Sequence, residues 1–389
     1  MTTTLNENQL IETTEELAEF CNTISAADYI AIDTEFVRDK TYFSKLCLIQ
    51  ISSTTDIACI DPLVVQDLSP LKALFSNKTQ TKIFHACRQD LEILYSDIGL
   101  MPDPIFDTQV AATLLGLGEQ IGYGNLIKHY LDINLAKQHA RTDWEQRPLS
   151  AEQIEYAAND VRYLIQAYPL ILKELDNYGR RNWLDKDFNE LLDPALYQVD
   201  AEQLWQKVSG NQKLRPKQLA VLQQLCIWRE AIAVKKDKPR KWILSDNIAL
   251  SIAMSMPDSK AKLANTRGIN QATVDKDANA IIQCVNTALA IPEDQWPQAR
   301  KKTKLNKNQE ASIDALLAIC KLKANEHSIS VGAIVNRNEL EKLVQNETEL
   351  GILNGWRFNL VGETLVKFLK NDVCLSYIDN TLEITKNKT

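Results

Sequence analysis

Four carboxylates with the spacing of a shared metal site are the most informative residues of this chain. They are Asp33 and Glu35, which end an apolar run as Asp-Thr-Glu, then Asp90, then Asp160, four residues after Tyr156. Acidic groups that close a hydrophobic strand are costly to bury without a positive partner. Hard oxygen ligands of this kind suit magnesium or manganese. Carboxylate clusters that hold such ions hydrolyse phosphodiester bonds, and that is the chemistry this pattern predicts.

The spacing of these residues allows the four acids to converge. Side chains two apart in a strand point to one face, so Asp33 and Glu35 can share a metal while Thr34 points away. Residues four apart on a helix are neighbours, which places Tyr156 beside Asp160. Asp90 would come from the start of a third element. Together the acids could hold two divalent cations roughly 3.5–4 Å apart.

The elements that must position these residues alternate between strand and helix patterns over the first part of the chain. Short apolar runs predict four strands: 29–36, 46–52, 57–60 and 82–85. Because these strands are too close together in the chain for a helix between each pair, we expect them to form an antiparallel meander. Helices are predicted at 14–23, 90–95, 107–115, 125–130 and from Ala151 to about Tyr178. Thr13 with Glu16 and Ser150 with Gln153 form capping boxes. A mixed sheet with packed helices is an α/β domain.

The second part of the chain is predicted to be helical. Amphipathic segments begin at Leu214 and Asp246, and residues 292–307 form a linker rich in Pro, Lys and Gln. Residues 308–370 again have helical spacing, and a frayed tail is expected from Thr385 onward. We therefore predict an α/β domain at 1–190 and two small all-helical domains at 208–290 and 305–375.

Composition indicates a folded protein with unevenly distributed charge. The chain of 389 residues is 45% hydrophobic and 24% charged. Residues 1–180 hold 14 Lys and Arg against 26 Asp and Glu, whereas the remainder holds 30 against 25. This asymmetry favours metal chemistry in residues 1–180 and contact with a polyanion in the remainder. An ordinary solvated surface would explain it equally well.

Targeting and cysteine patterns point to the cytoplasm. No apolar run is long enough to span a membrane, and the first sixteen residues have no signal-peptide core. The eight cysteines are scattered without a Cys-x-x-Cys pair, as expected of buried thiols in a reducing compartment. No obligate protein partner is indicated.

Ordered motifs around the four acids resemble a known enzyme family. They are Ala31-Ile-Asp-Thr-Glu-Phe-Val-Arg38 with Leu46-Cys-Leu-Ile-Gln50, then His85-Ala-Cys-Arg-Gln-Asp-Leu-Glu-Ile-Leu94 with Phe106-Asp-Thr-Gln109, then Trp144-x-x-Arg147-Pro-Leu149 with Gln153-x-x-Tyr156-x-x-x-Asp160. Over residues 10 to 180 the chain resembles the tyrosine-bearing branch of the DEDD exonuclease superfamily, and within it the ribonuclease D family. The resemblance implies a ribonuclease H-like exonuclease domain with a mixed sheet.

The resemblance also implies roles for the acids and the tyrosine. Asp33, Glu35 and Asp160 would hold the metal that carries the attacking water, with Asp33 bridging to a second metal supported by Asp90. Tyr156 would orient the nucleophile, because a phenol with an ordinary pKa near 10 is a weak base at neutral pH. The expected product is a nucleoside 5′-monophosphate, released from a free 3′ end.

Other residues of these motifs are candidates for nucleic-acid contact, each with a plainer alternative. Phe36 would stack on the terminal base or fill the core. His85 would hydrogen-bond near the site or be an ordinary core histidine, and Gln50 would touch the terminal ribose or finish a strand. Trp144 and Arg147 would cap the site or pack their loop.

Residues 208–288 resemble an HRDC domain, a helical module of ribonuclease D and RecQ-type helicases. The resemblance rests on Leu214-Arg-Pro-x-Gln-Leu219, Leu225-x-x-Trp228-Arg-Glu230 and Ile243-Leu-x-Asp246, and it implies nucleic-acid binding. A basic loop would neutralise phosphates or be a solvated charge run: Lys235, Lys236, Lys238, Arg240 and Lys241. Residues 305–375 would be a second, divergent HRDC-like domain. Cations of the linker would reach the substrate: Arg300, Lys301, Lys302, Lys304 and Lys307.

The function expected from the resemblance is a 3′–5′ exoribonuclease that uses two Mg²⁺ or Mn²⁺ ions. Its expected substrates are RNAs with a free 3′ end, chiefly tRNA precursors. A DNA 3′–5′ exonuclease of repair or proofreading type is the alternative within the same chemistry. A non-catalytic RNA-binding protein is the alternative outside it, although such a protein has no need of four clustered acids.

Overall fold

The computed structural model describes residues 8–135, 142–299 and 305–387. The strands are β1 Gln9–Ile11, β2 Tyr29–Val37, β3 Lys45–Ser52, β4 Ile57–Ile60, β5 Thr81–Phe84, β6 Ile105–Asp107, β7 Val373–Ile378 and β8 Thr381–Lys386. The helices up to the linker are α1 Thr14–Ile24, α2 Pro70–Ser76, α3 Arg88–Ile98, α4 Thr108–Thr113, α5 Tyr123–Leu131, α6 Ala151–Asn177, α7 Asp185–Leu191, α8 Pro216–Lys236, α9 Arg240–Ile243, α10 Asp246–Ser255, α11 Lys260–Ala264 and α12 Gln271–Ala290. After the linker come α13 Lys307–Glu326, α14 Val331–Ile334, α15 Arg337–Val344, α16 Gly355–Arg357 and α17 Glu363–Leu369, preceded directly by a π-helical turn at Phe358–Gly362.

A six-stranded mixed sheet, in the order β1-β4-β3-β2-β5-β6, forms the centre of the first domain. β3 and β4 pair antiparallel, as predicted. The sheet is mixed, as predicted, but the expected antiparallel meander does not extend to β5, which pairs parallel to β2 with Ile30 opposite Lys82. Helix α2 lies between β4 and β5 in the chain and provides the crossover that parallel pairing requires. The three-residue strands β1 and β6 were not predicted, because they are too short to show alternation.

Helix α6 packs across the sheet and brings its N-terminal turns to the strands. Its first turn is fixed by the predicted capping box, in which Ser150 and Gln153 satisfy each other's backbone N–H groups. The hydroxyl of Ser52 on β3 donates to the carbonyl of Val161 at 3.0 Å, and Cys59 on β4 contacts the carbonyl of Ile154. The sheet face that carries these residues therefore packs against the part of α6 that contains Tyr156 and Asp160.

The described residues divide into two compact units. The first contains residues up to Phe36, Leu46–Pro194 and the described residues from 305 onward. The second contains Val37–Lys45 and Ala195 up to the linker. The short segment between β2 and β3 thus belongs to the helical unit, although it continues directly from the strand that bears Asp33.

The second unit has its own hydrophobic core. Its long helices α8 and α12 pack together, and α10 and the 3-10 helix Ala201–Lys207 cover α8. Fully buried side chains of these helices include Leu222, Leu225, Ile252 and Ile281. This separate core is what a small domain needs in order to be stable by itself.

The C-terminal helical module packs as part of the first unit, with several direct contacts. Trp356 stacks on Trp183 at 4.6 Å with rings 9° from parallel, and its indole N–H donates to the carbonyl of Trp183. Arg357 pairs with Asp187 on α7 at 3.0 Å. Arg180 donates to the carbonyl of Leu114 at 2.6 Å and also to that of His327 in the module. These contacts join the module to the α/β domain.

Residues 373–386 form a β-hairpin, although a tail was predicted from Thr385 onward. β7 and β8 pair antiparallel from Val373 opposite Lys386 to Ile378 opposite Thr381. The turn residues Asp379 and Asn380 have φ of 47° and 64°, the left-handed values of a type I′ turn. Thr385 lies within the ladder, so the expected fraying from this residue is wrong.

Across the three described ranges, no helix is long and apolar enough to cross a membrane.

Candidate metal and nuclease site

Three of the predicted acids converge at one place. Asp33 and Glu35 lie two residues apart on β2, and Asp160 lies on the third turn of α6. Carboxylate oxygens of these three residues all lie within 4.8 Å of one another. The strand and helix spacings that the sequence offered are therefore realised in a single cluster.

Asp90 joins this cluster from the first turn of α3 and is held there by Thr34. Its side chain is buried, and it accepts a hydrogen bond from the hydroxyl of Thr34. Thr34 lies between the two metal-site acids of β2, so strand alternation directs it away from them and toward α3. We did not predict this role, because a threonine in a strand gives no sign of its partner 56 residues away.

Burial and mutual repulsion make the cluster electrostatically unfavourable without a positive partner. Burial raises the pKa of Asp33 to about 6. Burial, followed by the charges of Asp33, Asp160 and Asp90, raises the pKa of Glu35 to about 9. Burial and then the Asp33 charge hold the pKa values of Asp90 and Asp160 well above the ordinary range. Carboxyl groups in this situation either keep protons or bind cations.

The donor set fits divalent cations. All four groups are carboxylates, the oxygen ligands that Mg²⁺ and Mn²⁺ prefer, and three are close enough to share an ion. An ion of charge +2 would remove the repulsion that raises the four pKa values. Asp33, Glu35, Asp160 and Asp90 are therefore the residues that would hold the metal ions.

Tyr156 lies one helical turn before Asp160 on α6, as predicted from the sequence. Burial, then the charges of Asp160, Glu35 and Asp33, raise the pKa of the Tyr156 phenol to about 12. The phenol is therefore protonated at neutral pH and can donate a hydrogen bond. Trp144 is buried, with its ring centroid 6.4 Å from that of Tyr156, so it packs the loop beside the site.

Tyr123 supports the same part of α6 and was not predicted. Its hydroxyl donates to the carbonyl of Asn159, the residue before Asp160, at 2.7 Å. Burial and then the charges of Asp160 and Asp33 raise the pKa of Tyr123 well above its usual range. Its ring packs on His85 at 5.7 Å between centroids. Only its place in the fold reveals this role, since the sequence offers no motif around it.

His85 is hydrogen-bonded to the protein through both ring nitrogens. One ring nitrogen lies 2.9 Å from the hydroxyl of Thr108, and the other 3.0 Å from the carbonyl of Ile121. Burial lowers the pKa of His85, which favours the neutral ring. Both nitrogens hold the segments around Thr108 and Ile121, and the nucleic-acid contact of His85 remains a prediction.

Arg147 anchors the loop before α6. Its guanidinium donates to both carboxylate oxygens of Asp61, from Nε to Oδ2 and from a terminal nitrogen to Oδ1 at 2.8 Å. The same terminal nitrogen donates to the carbonyl of Cys47 at 2.8 Å. Asp61 is almost completely buried, so this arginine neutralises an otherwise isolated charge. Of the two alternatives for Arg147, the structure supports packing of the loop.

Gln50 and Phe36 differ in their exposure. Gln50 is completely buried in β3, so the ribose contact proposed for it is not available in this structure. Its side-chain oxygen and nitrogen have no hydrogen-bond partner among the described residues. Phe36 is half-buried directly after Glu35, and stacking on a terminal base remains a prediction.

The basic loop of the second unit is only partly available for phosphates. The lysines are exposed: Lys235, Lys236, Lys238 and Lys241. Arg240 pairs with the buried carboxylate of Glu230, at 2.7 Å to one oxygen, and its phosphate contact remains a prediction. Lys276 on α12 was not predicted. It lies close enough to Lys236 to lower the pKa of that lysine through hydrogen bonding and repulsion.

Comparisons with known proteins agree with this site and fold. Residues 8–176 match a 3′–5′ exonuclease family model, and residues 218–285 match the HRDC domain. Ribonuclease D of Bartonella henselae is 36% identical over 370 residues, covering 94% of this chain and 91% of that protein. Ribonuclease D of Sphingobium indicum is 36% identical over 384 residues, covering 97% and 99%.

A solved structure shows the same architecture across nearly the whole chain. The crystal structure of Escherichia coli RNase D, described as an exoribonuclease involved in structured RNA processing, superimposes with a TM-score of 0.84. The two sequences are 31% identical, and the match covers 94% of this chain and 99% of that one. Near full-length identity, the two domain matches and the carboxylate cluster show that this chain belongs to the ribonuclease D family of 3′–5′ exoribonucleases.

Proposed function

We propose that this exoribonuclease trims the 3′ ends of structured RNAs, chiefly tRNA precursors, with two Mg²⁺ ions held by Asp33, Glu35, Asp90 and Asp160. The observation that carries the proposal is the convergence of three carboxylates within 4.8 Å, with a fourth held beside them. When bound, divalent cations supply charge neutralisation at the phosphate and activate water for attack on phosphorus.

The chain's own residues position the acids and the reacting groups. Thr34 holds Asp90 by its hydroxyl, and Tyr123 holds the α6 backbone beside Asp160. Tyr156, protonated at neutral pH, donates a hydrogen bond that orients the nucleophile and is not the general base. Water attacks the scissile phosphorus and the bond from phosphorus to the 3′ oxygen of the preceding nucleotide breaks, so the released nucleoside keeps the phosphate as a 5′-monophosphate and the shortened RNA ends in a 3′-hydroxyl.

RNA binding is proposed for the lysines of the second unit. Lys236 and Lys276 repel each other, and Lys238 adds a third positive charge nearby. A phosphate between the lysines would relieve this repulsion, and such contacts give salt-dependent, sequence-independent affinity. The Escherichia coli relative processes structured RNA, and this supports a structured RNA as the substrate here.

Action in the cytoplasm is also proposed. All eight cysteines are free thiols, and seven of them are buried. This arrangement is typical of proteins that work in a reducing compartment.

The substrate proposal is tested by comparing a tRNA precursor that carries a 3′ extension with a DNA strand of the same sequence, each with Mg²⁺ and with EDTA. We expect metal-dependent shortening of the RNA to the mature end and little digestion of the DNA. Equal or faster digestion of the DNA would favour a DNA exonuclease. No digestion of either substrate by the wild-type protein would favour a non-catalytic RNA-binding protein.

The metal-site residues are tested on the same precursor. Asp33→Asn and Asp160→Asn replace a charged ligand by a neutral isostere, and each should lower kcat by at least about a thousandfold while RNA binding is retained. Activity within a few-fold of wild type in either variant would contradict the assignment of these two ligands.

A further inference from the structure

The connecting segment between α4 and α5, residues 114–122, is contacted by the C-terminal module. The backbone N–H of Ser330 donates to the carbonyl of Thr113, directly before the segment, at 2.8 Å. Within the segment, the carboxylate of Glu119 accepts a hydrogen bond from the N–H of Gly332 at 2.9 Å. All of these residues belong to the first unit. The module therefore holds the start of the segment and one of its side chains.

The backbones of the connecting segment and the module also approach closely at Gly116. This glycine has φ of 73°, and a Cβ atom placed on it would lie only 2.7 Å from the carbonyl oxygen of Ser328. Glycine tolerates both the left-handed backbone and this distance. Beside the contact lies an open pocket of about 210 Å³, lined in part by Gln109, Glu119 and Gly332. Apolar packing does not fill this joint, so the hydrogen bond of Glu119 is an important part of the contact.

The sequence of the connecting segment gives it little rigidity of its own. Three of the seven residues from 116 to 122 are glycines, namely Gly116, Gly118 and Gly122. Glycine loses more backbone entropy than other residues when it is ordered. Five of these seven residues are exposed. Contacts from outside the segment must therefore determine its position.

The far end of the connecting segment is held by the α/β domain. The carbonyl of Ile121 accepts a hydrogen bond from the side-chain nitrogen of Gln109 at 3.0 Å, and a ring nitrogen of His85 lies 3.0 Å from the same oxygen. Gln109 lies on α4, and His85 directly follows β5. The segment thus has fixed contacts at both ends, one set to the module and one to the domain that carries the metal site.

Tyr123 connects the end of this segment to the metal-site helix. Its hydroxyl donates to the carbonyl of Asn159 at 2.7 Å, and Asn159 directly precedes Asp160. Glu119 lies four residues before Tyr123. A displacement of the segment at Glu119 would therefore shift Tyr123 and the α6 backbone beside Asp160. A misplacement of about 1 Å at a reacting centre can lower a rate by about a hundredfold.

We propose that Glu119 and Gly332 are positioning residues for metal-dependent hydrolysis, through which the C-terminal module keeps Asp160 in place. Neither residue belongs to the carboxylate cluster, and both act through the connecting segment and Tyr123. The inference rests on the proposed metal-dependent hydrolysis of RNA and adds to it a role for the module in the chemical step. Loss of the Glu119 contact should lower metal affinity and kcat while KM for RNA stays nearly unchanged.

Glu119→Ala tests the proposal, with Mn²⁺ binding measured by isothermal titration and kcat and KM measured on a 3′-extended RNA. Mn²⁺ affinity and kcat should each fall by about three- to thirtyfold, as expected of residues that act through others. Hydrogen exchange should become faster around Tyr123 and Asp160. Glu119→Gln keeps an oxygen that can accept from the Gly332 N–H and should behave like wild type. Equal losses in the Ala and Gln variants would overturn the role of this hydrogen bond.

The matched control is Glu339→Ala. The carboxylate of Glu339 accepts a hydrogen bond from the backbone N–H of Ile352 at 2.7 Å, which is the same kind of bond formed entirely within the module. This variant should lose stability with no change in Mn²⁺ affinity or kcat. Equal losses of Mn²⁺ affinity in the Glu119→Ala and Glu339→Ala variants would overturn the proposal, because they would reflect general destabilisation.

Failure of the proposal and failure of the proposed function give different results. Normal Mn²⁺ binding and RNA digestion by wild type, with Glu119→Ala within about twofold of it, would refute the positioning role and leave the proposed function intact. A wild-type protein that neither binds Mn²⁺ nor digests RNA would refute the proposed function, and the positioning role with it.

Discussion

Thr34 and Asp33 are adjacent in the chain but face opposite sides of β2, and both serve the metal site. Asp33 points into the carboxylate cluster, whereas Thr34 holds Asp90 through its hydroxyl. The pairing of Asp33 with Glu35, and of Tyr156 with Asp160, was predictable because local spacing determines which side chains share a face. The Thr34 contact and the burial of Gln50 were not predictable, since both depend on elements distant in sequence.

Thr34→Val should weaken the metal site without altering the fold. It removes the hydrogen bond that orients Asp90, and loss of such a partner lowers metal affinity or activity by about 10- to 100-fold. Isothermal titration with Mn²⁺ and turnover on RNA would measure the effect. Thr34→Ser, which keeps the hydroxyl, is the control and should behave like wild type. Equal activities of the Val and Ser variants would contradict the role of the hydroxyl.

The raised pKa of Glu35 predicts an unusual pH dependence of stability in EDTA. Its folded pKa of about 9 exceeds the ordinary value of 4.5, so the folded protein holds a proton that the unfolded chain releases. The free energy of unfolding should therefore fall as pH rises from about 5 toward 9. Glu35→Gln removes this titration and should melt at a higher temperature than wild type at pH 8, with a smaller difference at pH 5. A wild-type protein that melts at a higher temperature than Glu35→Gln at pH 8 would contradict this prediction.

At the scale of elements, the long helices and the strands β2 to β5 were predicted well, whereas the three-residue strands β1 and β6 and the hairpin β7–β8 were missed. Helix α6 begins at the predicted residue because Ser150 and Gln153 form a local capping box. The parallel pairing of β5 depends on contacts distant in the chain, and no local pattern reports it. The hairpin β7–β8 was predictable in principle, because Asp379 and Asn380 are residues that favour a tight turn and lie between two strand-like runs.

Arg147→Met should destabilise the loop that leads into α6. Asp61 is almost completely buried, and removing its cation leaves an isolated charge, which costs about 3–5 kcal/mol. Urea unfolding would measure the loss. The exposed pair Lys128–Asp132 provides a matched control, since Lys128→Ala should cost less than about 1 kcal/mol. A loss below about 1 kcal/mol for Arg147→Met would show that the pair does not anchor the loop.

At the scale of the whole molecule, the order of modules along the chain is not the order in which they pack. The C-terminal module clusters with the α/β domain, while the segment between β2 and β3 clusters with the helical unit. Motifs in the sequence identify each domain type separately. They therefore predicted which domains are present, but not which of them pack together. The grouping depends on contacts such as Trp183 with Trp356, which lie far apart in the chain.

Trp356→Ala should destabilise the first unit and leave the second unchanged. The substitution removes the stack on Trp183 and a half-buried indole, and large-to-small changes of this kind cost a few kcal/mol, up to about 5. Hydrogen exchange should become faster in α7 and α13, with unaltered protection in α8 and α12. Faster exchange confined to the residues next to position 356 would contradict cooperative packing of the module.

The central claim is that the four carboxylates hydrolyse RNA one nucleotide at a time from its 3′ end. Its most direct measurement uses an RNA with a single uridine at its 3′ terminus, incubated with Mg²⁺, with products identified by mass spectrometry at early times. We predict that uridine 5′-monophosphate is released first, that EDTA stops its release, and that Asp160→Asn abolishes it. Internal fragments, release from the 5′ end, or wild-type rates in the Asp160→Asn variant would contradict the account.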